Sequence, residues 1–292
     1  MDARILARLR CPVCGEPLAE TTAGTARALQ CPRRHSFDIA RQGYVNLLAG
    51  RAPHTGDSAE MVAARADFLA AGHYSTVAAA LAEAARQIAY GVDGPTPAPP
   101  AAYPLVVDAG AGTGWYLAAV LAALPDAVGL ALDVAKPALR RAARAHPRAA
   151  AALADTWQRL PLADRSATVL LNVFAPRNGA EFHRVLDPAG ALLVVTPAAD
   201  HLAELVDALD LLRVDPAKAD RVAGSLNAHF TEESATEHRA RLELSRTEVA
   251  TLVGMGPSAW HADPARLAER IAALPEPVPV TLAVRLGVHR PR

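Results

Sequence analysis

Short apolar runs alternate with segments of helical periodicity through the second half of the chain. The runs are rich in Val, Leu and Ala, and they are PLVVDAG (104–110), AVGLALDVA (127–135), AAALAD (150–155), ATVLLNVFAP (167–176) and GALLVVTP (190–197). Near-continuous apolar strands separated by helices are typical of a parallel sheet that is covered on both faces. The pattern therefore predicts an α/β fold, and VPVTLAVRLGVHR (278–290) predicts one further strand.

Two helices are predicted ahead of this region. Ser58 and Gly72 have the chemistry of a helix start and a helix stop around AEMVAARADFLAA (59–71). Ser75 is expected to cap a second helix that reaches Tyr90.

The remaining segments set the domain organisation. FDIARQGYVNLL (37–48) has strand character, and the proline-rich 91–104 cannot form regular structure. We expect a small domain over 1–50, a helical connector with a Pro-rich loop over 51–104, and a large domain over 105–292.

Composition and charge add limits on location and partners. The chain has 292 residues and a formal net charge of +0, and no apolar run approaches the roughly 20 residues of a membrane span. We therefore expect a cytoplasmic protein with no membrane partner. Residues 1–51 carry eight arginines against four acids, and KPALRRAARAHPR (136–148) carries five basic residues and no acid. Either group could face phosphates, or could simply be a solvated surface.

All three cysteines lie in CPVCGEPLAETTAGTARALQCPRRH (11–35). Cys11 and Cys14 form a C-x2-C pair, and Cys31 is followed after three residues by His35. Three thiolates and one imidazole make the closed tetrahedral shell of a structural zinc ion. A disulfide framework would leave one cysteine unpaired, and the C-x2-C pair does not open a helix after a strand, as a redox pair would. The alternative to zinc is a set of buried thiols with a surface histidine.

A glycine turn follows the first strand of the large domain, in LVVDAGAGTGWY (105–116). Gly110, Gly112 and Gly114 let the backbone approach a ligand closely, and Asp108 precedes them. The spacing is not the G-x-G-x-x-G of dinucleotide-binding turns. It resembles motif I of class I methyltransferases, whose ligand, S-adenosylmethionine, carries an ammonium and a sulfonium and no phosphate.

Two further acids follow the second and third strands. Asp133 is placed to accept both ribose hydroxyls of a nucleoside, and Asp155 to accept an adenine amino group. Each acid could instead be a helix cap. RVLDPAGALLVVTP (184–197) resembles the helix, turn and fifth strand of the methyltransferase fold, so the four features together predict a class I, Rossmann-like methyltransferase that uses S-adenosylmethionine.

The zinc module and this core together resemble the RlmA-type enzymes, which methylate N1 of a guanine in 23S ribosomal RNA. The matching segments include CPVC, CPRRHSFDIARQGYVNLL, GDSAEM, FLAAGHY, DAGAGTGWY, LDVAKPALRRAA, VFAPRN, VVTPAADHLAEL and MGPSAW. Weaker sequence similarity, in KPALRRAARAHPR, NVFAPRN and DHLAELVDALDLLRV, favours the Gram-positive branch of the family, typified by the tylosin-resistance methyltransferase. The Gram-negative branch differs in carrying an acidic residue in place of Thr113.

The resemblance implies roles for particular residues. Tyr74 and His201 match positions that contact the cofactor, as does the turn of Gly110, Gly112, Thr113 and Gly114. Cys11, Cys14, Cys31 and His35 match the zinc ligands. The implied substrate is a guanine in the domain II hairpin of 23S RNA that lines the peptide exit tunnel, with a contribution to macrolide resistance.

The proton on N1 of guanine needs an acceptor, and the sequence does not identify one. Asp200 and Asn172 are the candidates, since both stand at strand ends on the cofactor edge; Asp200 could accept the proton while Asn172 holds the base edge. Trp115, Tyr116, Phe174 or Trp260 could sandwich a flipped base.

The rival hypotheses are a nicotinamide-dependent oxidoreductase and a zinc-containing RNA-binding or assembly factor with an inactive methyltransferase fold. The oligomeric state is left open, with a homodimer as one option.

Overall fold

The structure is a computed structural model that describes residues 1–23, 26–50, 56–91, 103–211, 224–256 and 263–292. Most of the predicted Pro-rich loop and the candidate Trp260 lie outside these ranges. In the described parts, no helix has the length and the apolar character needed to cross a membrane.

The N-terminal module is a short helix followed by a three-stranded antiparallel sheet. Helix α1 is Ala3–Leu6, and the sheet has the order β1 (Ala19–Ala23), β2 (Ala26–Gln30) and β3 (Ser36–Asp38). The next strand, β4 (Tyr44–Asn46), does not join that sheet and pairs in parallel with a strand of the large domain. The first fifty residues therefore supply an edge strand to the second sheet.

The second sheet has eight strands in the parts of the chain that the structure describes. The described strands after β4 are β5 (Leu105–Ala109), β6 (Val128–Asp133), β7 (Ala149–Leu153), β8 (Ala167–Val173), β9 (Leu186–Pro197), β10 (Phe230–Leu244) and β11 (Val278–Pro291). Their order is β10-β11-β9-β8-β5-β6-β7-β4, with β11 antiparallel to β9 and β10. The five predicted runs form the parallel centre, β9-β8-β5-β6-β7, which confirms the predicted fold class.

Helices cover both faces of this sheet. They are α2 (Ala59–Ala70), α3 (Ser75–Tyr90), α4 (Trp115–Ala123), α5 (Lys136–Ala142), α6 (Gly179–Val185), α7 (Ala203–Leu209), α8 (Arg246–Gly254) and α9 (Pro264–Ala272). One apolar core packs α3, α4 and α8 on one face, and a second packs α1, α6 and the zinc module on the other. Because β5, β6 and β8 are buried on both faces, they read as continuous apolar runs in the sequence.

The helix caps were predicted in part. Ser58 caps α2 by accepting a hydrogen bond from the backbone N–H of Met61, as expected. The prediction for Ser75 is wrong, because Ser75 is the first helical residue of α3 and Tyr74 occupies the cap position without a side-chain cap. Tyr74 is 2% exposed, so the cap position is used to bury an aromatic ring beside the sheet.

Candidate active site and metal centre

The four predicted metal ligands come together in the N-terminal module. Their ligand atoms all lie within 4.8 Å of one another. Sγ of Cys14 is 3.7 Å from Sγ of Cys31, and Nδ1 of His35 is 3.5 Å from Sγ of Cys11 and 3.4 Å from Sγ of Cys31. Thiolates bound to one tetrahedral zinc ion at about 2.3 Å lie about 3.7 Å apart. The residues present therefore fit a zinc ion.

Two tight backbone turns bring these ligands together. The N–H of Gly15 donates to the carbonyl of Cys11 at 2.8 Å, and Gly15 has a φ of +75°, which favours glycine. On the other side the N–H of Cys31 donates to the carbonyl of His35 at 3.1 Å. Cys31 directly follows β2 and His35 directly precedes β3, so the hairpin sets the second pair of ligands.

The predicted cofactor residues surround a cavity of about 460 Å3 at the carboxyl ends of the parallel strands. Its lining includes the predicted residues Tyr74, Asp108, Gly110, Gly112, Thr113, Asp133 and Asp155. Gly114 stands at the entry to α4 in the left-handed region with a φ of +76°. Ligand sites in open α/β sheets lie at this edge.

The glycine turn is shaped for close approach. A side chain at Gly110 would collide with Cβ of Ala175, and Gly110 and Gly112 have φ values of +82° and +53°. The N–H of Gly112 donates to Oδ2 of Asp133 at 2.8 Å, while Oδ1 of Asp133 accepts from the N–H of Ala135. Asp133 therefore joins the turn to the next strand and keeps lone pairs for a ligand.

The carboxyl group of Asp108 is buried in the cavity wall. Its side chain is 1% exposed, and both carboxylate oxygens lack a hydrogen-bond partner among the described residues. Burial, helped by the charge of Asp133, raises the pKa of Asp108 to about 8. Burial also raises the pKa of Asp133. Unpaired buried carboxylates are costly unless a cationic or hydrogen-bond-donating ligand meets them. This pattern fits the amino group of S-adenosylmethionine.

Asp155 offers a second unpaired acceptor. Its Oδ1 accepts from the N–H of Trp157 at 2.9 Å, while Oδ2 is buried with no partner among the described residues. Trp157 lines the same end of the cavity and is 55% exposed. An acceptor beside an exposed aromatic face suits an adenine ring with its amino group.

Tyr74, His201 and Phe174 form an aromatic cluster beside the cavity. The ring of His201 stacks on Phe174 with centroids 6.0 Å apart, and Tyr74 contacts both rings. Burial lowers the pKa of His201 to about 4, so its imidazole is neutral at pH 7. Nδ1 accepts from the N–H of Ala283 at 3.3 Å, which leaves Nε2–H to face the Tyr74 hydroxyl at 3.4 Å. Tyr74 lines the cavity and His201 stands behind it.

The two catalytic candidates do not line the cavity. Asn172 is fully buried, and its amide donates to the carbonyls of Ala109 and Pro176 at 3.2 and 2.8 Å. It ties the loop after β8 to the end of β5. Asp200 is partly exposed and forms an ion pair with Arg239, whose hydrogen bond lowers the pKa of Asp200.

Sequence reasoning missed Arg65 and Trp157, which both line the cavity. Arg65 lies on the cavity side of α2, a position that only the packing of that helix reveals. The basic cluster needs a correction at Arg148, whose guanidinium donates to the carbonyls of Leu121, Leu124 and Ala127. Arg148 therefore caps α4 and the turn after it, whereas Arg140, Arg141 and Arg144 are exposed.

The large domain has the features of a class I methyltransferase fold: this strand order, a glycine turn with an acid before it, and acids after the next two strands. It is joined to a Cys3His zinc module. A family model described as "RlmA, N-terminal" matches residues 9–52. The chain is 50% identical over 291 residues, 100% of this chain and 99% of the other, to the 23S rRNA (guanine(748)-N(1))-methyltransferase of Streptomyces fradiae. It is 68% identical over 294 residues, 100% of both chains, to a Micromonospora griseorubida protein provisionally named a 23S rRNA (guanine-N(1)-)-methyltransferase.

The chain belongs to the RlmA-type family of 23S rRNA (guanine-N1) methyltransferases, and its cofactors are S-adenosylmethionine and zinc. Among solved structures, geranyl diphosphate C-methyltransferase from Streptomyces coelicolor A3(2) matches with a TM-score of 0.39 and 10% identity, covering 64% of this chain and 69% of that chain. A likeness at that level adds nothing to the family assignment.

Proposed function

We propose that this protein transfers the methyl group of S-adenosylmethionine to N1 of a guanine in 23S ribosomal RNA. The observation that carries the proposal is the full-length identity of 50% to an enzyme named for this reaction, together with a cavity whose unpaired acids fit the cofactor. We further propose that the methylated guanine lies in the domain II hairpin that lines the peptide exit tunnel. A methyl group there replaces a hydrogen-bond donor with apolar bulk, which would weaken the binding of tylosin-type macrolides.

Bound S-adenosylmethionine supplies a methyl group activated by the sulfonium. The protein must place N1 of guanine in line with that group and exclude water from it. Asn172 suits a positioning role, because its two amide hydrogen bonds fix the loop of Phe174 to Pro176 against the glycine turn. For Asp200 to accept the N1 proton, its carboxylate would have to leave its ion pair with Arg239 and turn to the cavity; its place directly before His201, in the cluster with Tyr74, supports this proposal.

Phe174 is the aromatic residue best placed to stack on an extruded guanine. Of the four aromatic candidates, Trp115 packs against the core and Tyr116 is 9% exposed. Phe174 is 42% exposed at the rim, and its φ of +52° is strained for a residue with a side chain. A large exposed ring held in a strained backbone at the mouth of a site fits base stacking.

The RNA surface that we propose crosses from the zinc module to the large domain. Arg33, Arg34 and Arg41 are exposed on the module, and Arg140 and Arg144 are exposed on and just after α5. Arg41 and Arg144 lie on adjoining segments, because a Cβ at Gly43 would lie 3.6 Å from Cβ of Ala143. Clustered arginines would displace counterions from phosphates, so binding should weaken as salt rises.

The test is mass mapping of methylated nucleotides after incubation of unmodified 23S RNA with the protein and labelled S-adenosylmethionine. We expect one N1-methylguanine in the domain II hairpin. In a separate binding measurement, the Arg33→Ala, Arg34→Ala double variant should lose affinity for that RNA and keep its affinity for the cofactor. Methylation of transfer RNA alone would refute the proposal that 23S RNA is the substrate. Cofactor binding with no methyl transfer to any ribosomal RNA would favour the assembly-factor hypothesis.

A further inference from the structure

The charged residues of the cofactor cavity are unevenly distributed. Among the described lining residues, Asp57, Asp108, Asp133 and Asp155 are acids and Arg65 is the one arginine or lysine. S-adenosylmethionine carries a carboxylate as well as an ammonium and a sulfonium. The acids suit the ammonium, the sulfonium and the nucleoside, but an ionised acid cannot donate a hydrogen bond to the carboxylate and would repel it.

Arg65 stands beside the glycine turn with donors to spare. Its Nη1 forms an ion pair with Asp57, and its Nη2 donates to the carbonyl of Met255 at 2.7 Å. Nη1 also lies 3.6 Å from the position that a Cβ on Gly112 would take. A guanidinium has five N–H groups, and these hydrogen bonds use two of them in the described part of the chain.

We propose that Arg65 binds the methionine carboxylate of S-adenosylmethionine. The Arg65 side chain is 26% exposed, so it is partly desolvated, and Asp57 together with the Met255 carbonyl fixes the direction of its guanidinium. A planar fork held in this way can donate to a carboxylate in pairs at little further cost in side-chain entropy. The inference rests on the cofactor of the proposed function and adds to it the residue that recognises the amino acid end.

A purely structural role is the competing explanation. Arg65 connects α2 to the segment after α8, so its loss could loosen the wall of the cavity without any contact to the ligand. The two roles differ in which ligands they affect. A loosened wall would weaken every adenosine ligand, whereas a lost carboxylate contact would weaken only ligands that carry the carboxylate.

The experiment compares two ligands by calorimetry, S-adenosylhomocysteine and its decarboxylated counterpart S-adenosyl-3-thiopropylamine. We expect Arg65→Met to lower affinity for S-adenosylhomocysteine about tenfold or more, because charge-assisted hydrogen bonds are lost. Affinity for the decarboxylated ligand should stay within about twofold of the wild type, which also shows that the variant is folded. Arg65→Lys keeps the charge and should lose less affinity for S-adenosylhomocysteine than Arg65→Met.

A matched control is Arg86→Met, which removes a guanidinium that pairs with Glu83 on the surface of α3. It should leave both affinities unchanged. Equal losses for both ligands in Arg65→Met would overturn the proposal, as would an unchanged affinity for S-adenosylhomocysteine. If the wild type bound neither ligand, both the proposed cofactor and this inference would be refuted. If the wild type bound both ligands but Arg65→Met did not weaken S-adenosylhomocysteine selectively, only the inference would be refuted.

Discussion

Asp108→Asn gives a test of the electrostatics of the cavity that needs no substrate. The carboxyl is 1% exposed and unpaired in the described structure, and burial raises its pKa from 3.8 to about 8. A raised pKa means that the folded protein holds this proton more tightly than the unfolded chain. The stabilising effect is therefore complete below about pH 4 and is lost as pH rises towards 8.

The magnitude follows from the size of the shift. Each pH unit between the unfolded and folded pKa values costs about 1.36 kcal/mol, so the wild type should lose about 3 kcal/mol between pH 5 and pH 7 through this group. The carboxamide of the variant mimics the neutral acid and has no proton to lose. The free energy of unfolding of Asp108→Asn should thus rise relative to the wild type by about 3 kcal/mol over that interval.

Urea titrations of both proteins without cofactor at pH 5, 6 and 7 measure this difference. Effects of titrating groups that do not interact with Asp108 cancel between the two proteins, and Asp126→Asn, at an exposed position, should keep the wild-type pH dependence. Parallel pH profiles for the wild type and Asp108→Asn would refute the reasoning. An ammonium ligand favours the ionised acid, so S-adenosylhomocysteine should bind the wild type more tightly as pH rises from 6 to 8, with proton release, and this trend should vanish in Asp108→Asn.

Three further predictions concern the metal, the cofactor and the basic cluster. Metal analysis should find one zinc per chain in the wild type and none in Cys14→Ser, because the shell of four ligands loses one thiolate; a wild type without zinc contradicts this. Asp133→Ala should lower S-adenosylhomocysteine affinity about tenfold or more by calorimetry, and an unchanged dissociation constant would exclude Asp133 from the site. Arg148→Met should reduce the free energy of unfolding by about 3 kcal/mol, since three carbonyls lose a charged donor, whereas Arg141→Met at an exposed position should change it by less than about 0.5 kcal/mol. Equal effects of the two arginine changes in urea titrations would show that Arg148 is a surface residue.

The parts of the fold that the sequence predicts are those determined by residues close together in the chain. The strands β5 to β9 are continuous apolar runs, and the glycine turn needs positive φ at Gly110, Gly112 and Gly114. The spacing of the cysteines and His35 likewise reflects two local turns. Such features follow from a few neighbouring residues, and the structure places them as expected.

The features that sequence reasoning missed depend on distant contacts. β10 carries polar residues at most positions and is exposed along most of its length, so it lacks an apolar run, and its pairing with β11 makes it a strand. Arg148 resembles its exposed neighbours in sequence, and only the end of α4 distinguishes it. Arg65 could not be placed in the cavity before the packing of α2 was known.

The metal centre and the cofactor cavity are linked by one stretch of chain. Residues 155–157 line the cavity, and a few residues later the carbonyl of Pro161 accepts from the N–H of Arg10, just before the first ligand Cys11. The N–H of Ala163 donates to the carbonyl of Arg8, and β4 pairs with β7 on the same side. Because these contacts hold the zinc module at a set distance from the cavity, our proposal that its arginines bind RNA implies that the module and the cavity contact one folded RNA together. A flexibly tethered module would only raise the local concentration of RNA, whereas a module at a set distance would, under that proposal, also select which base reaches the cavity.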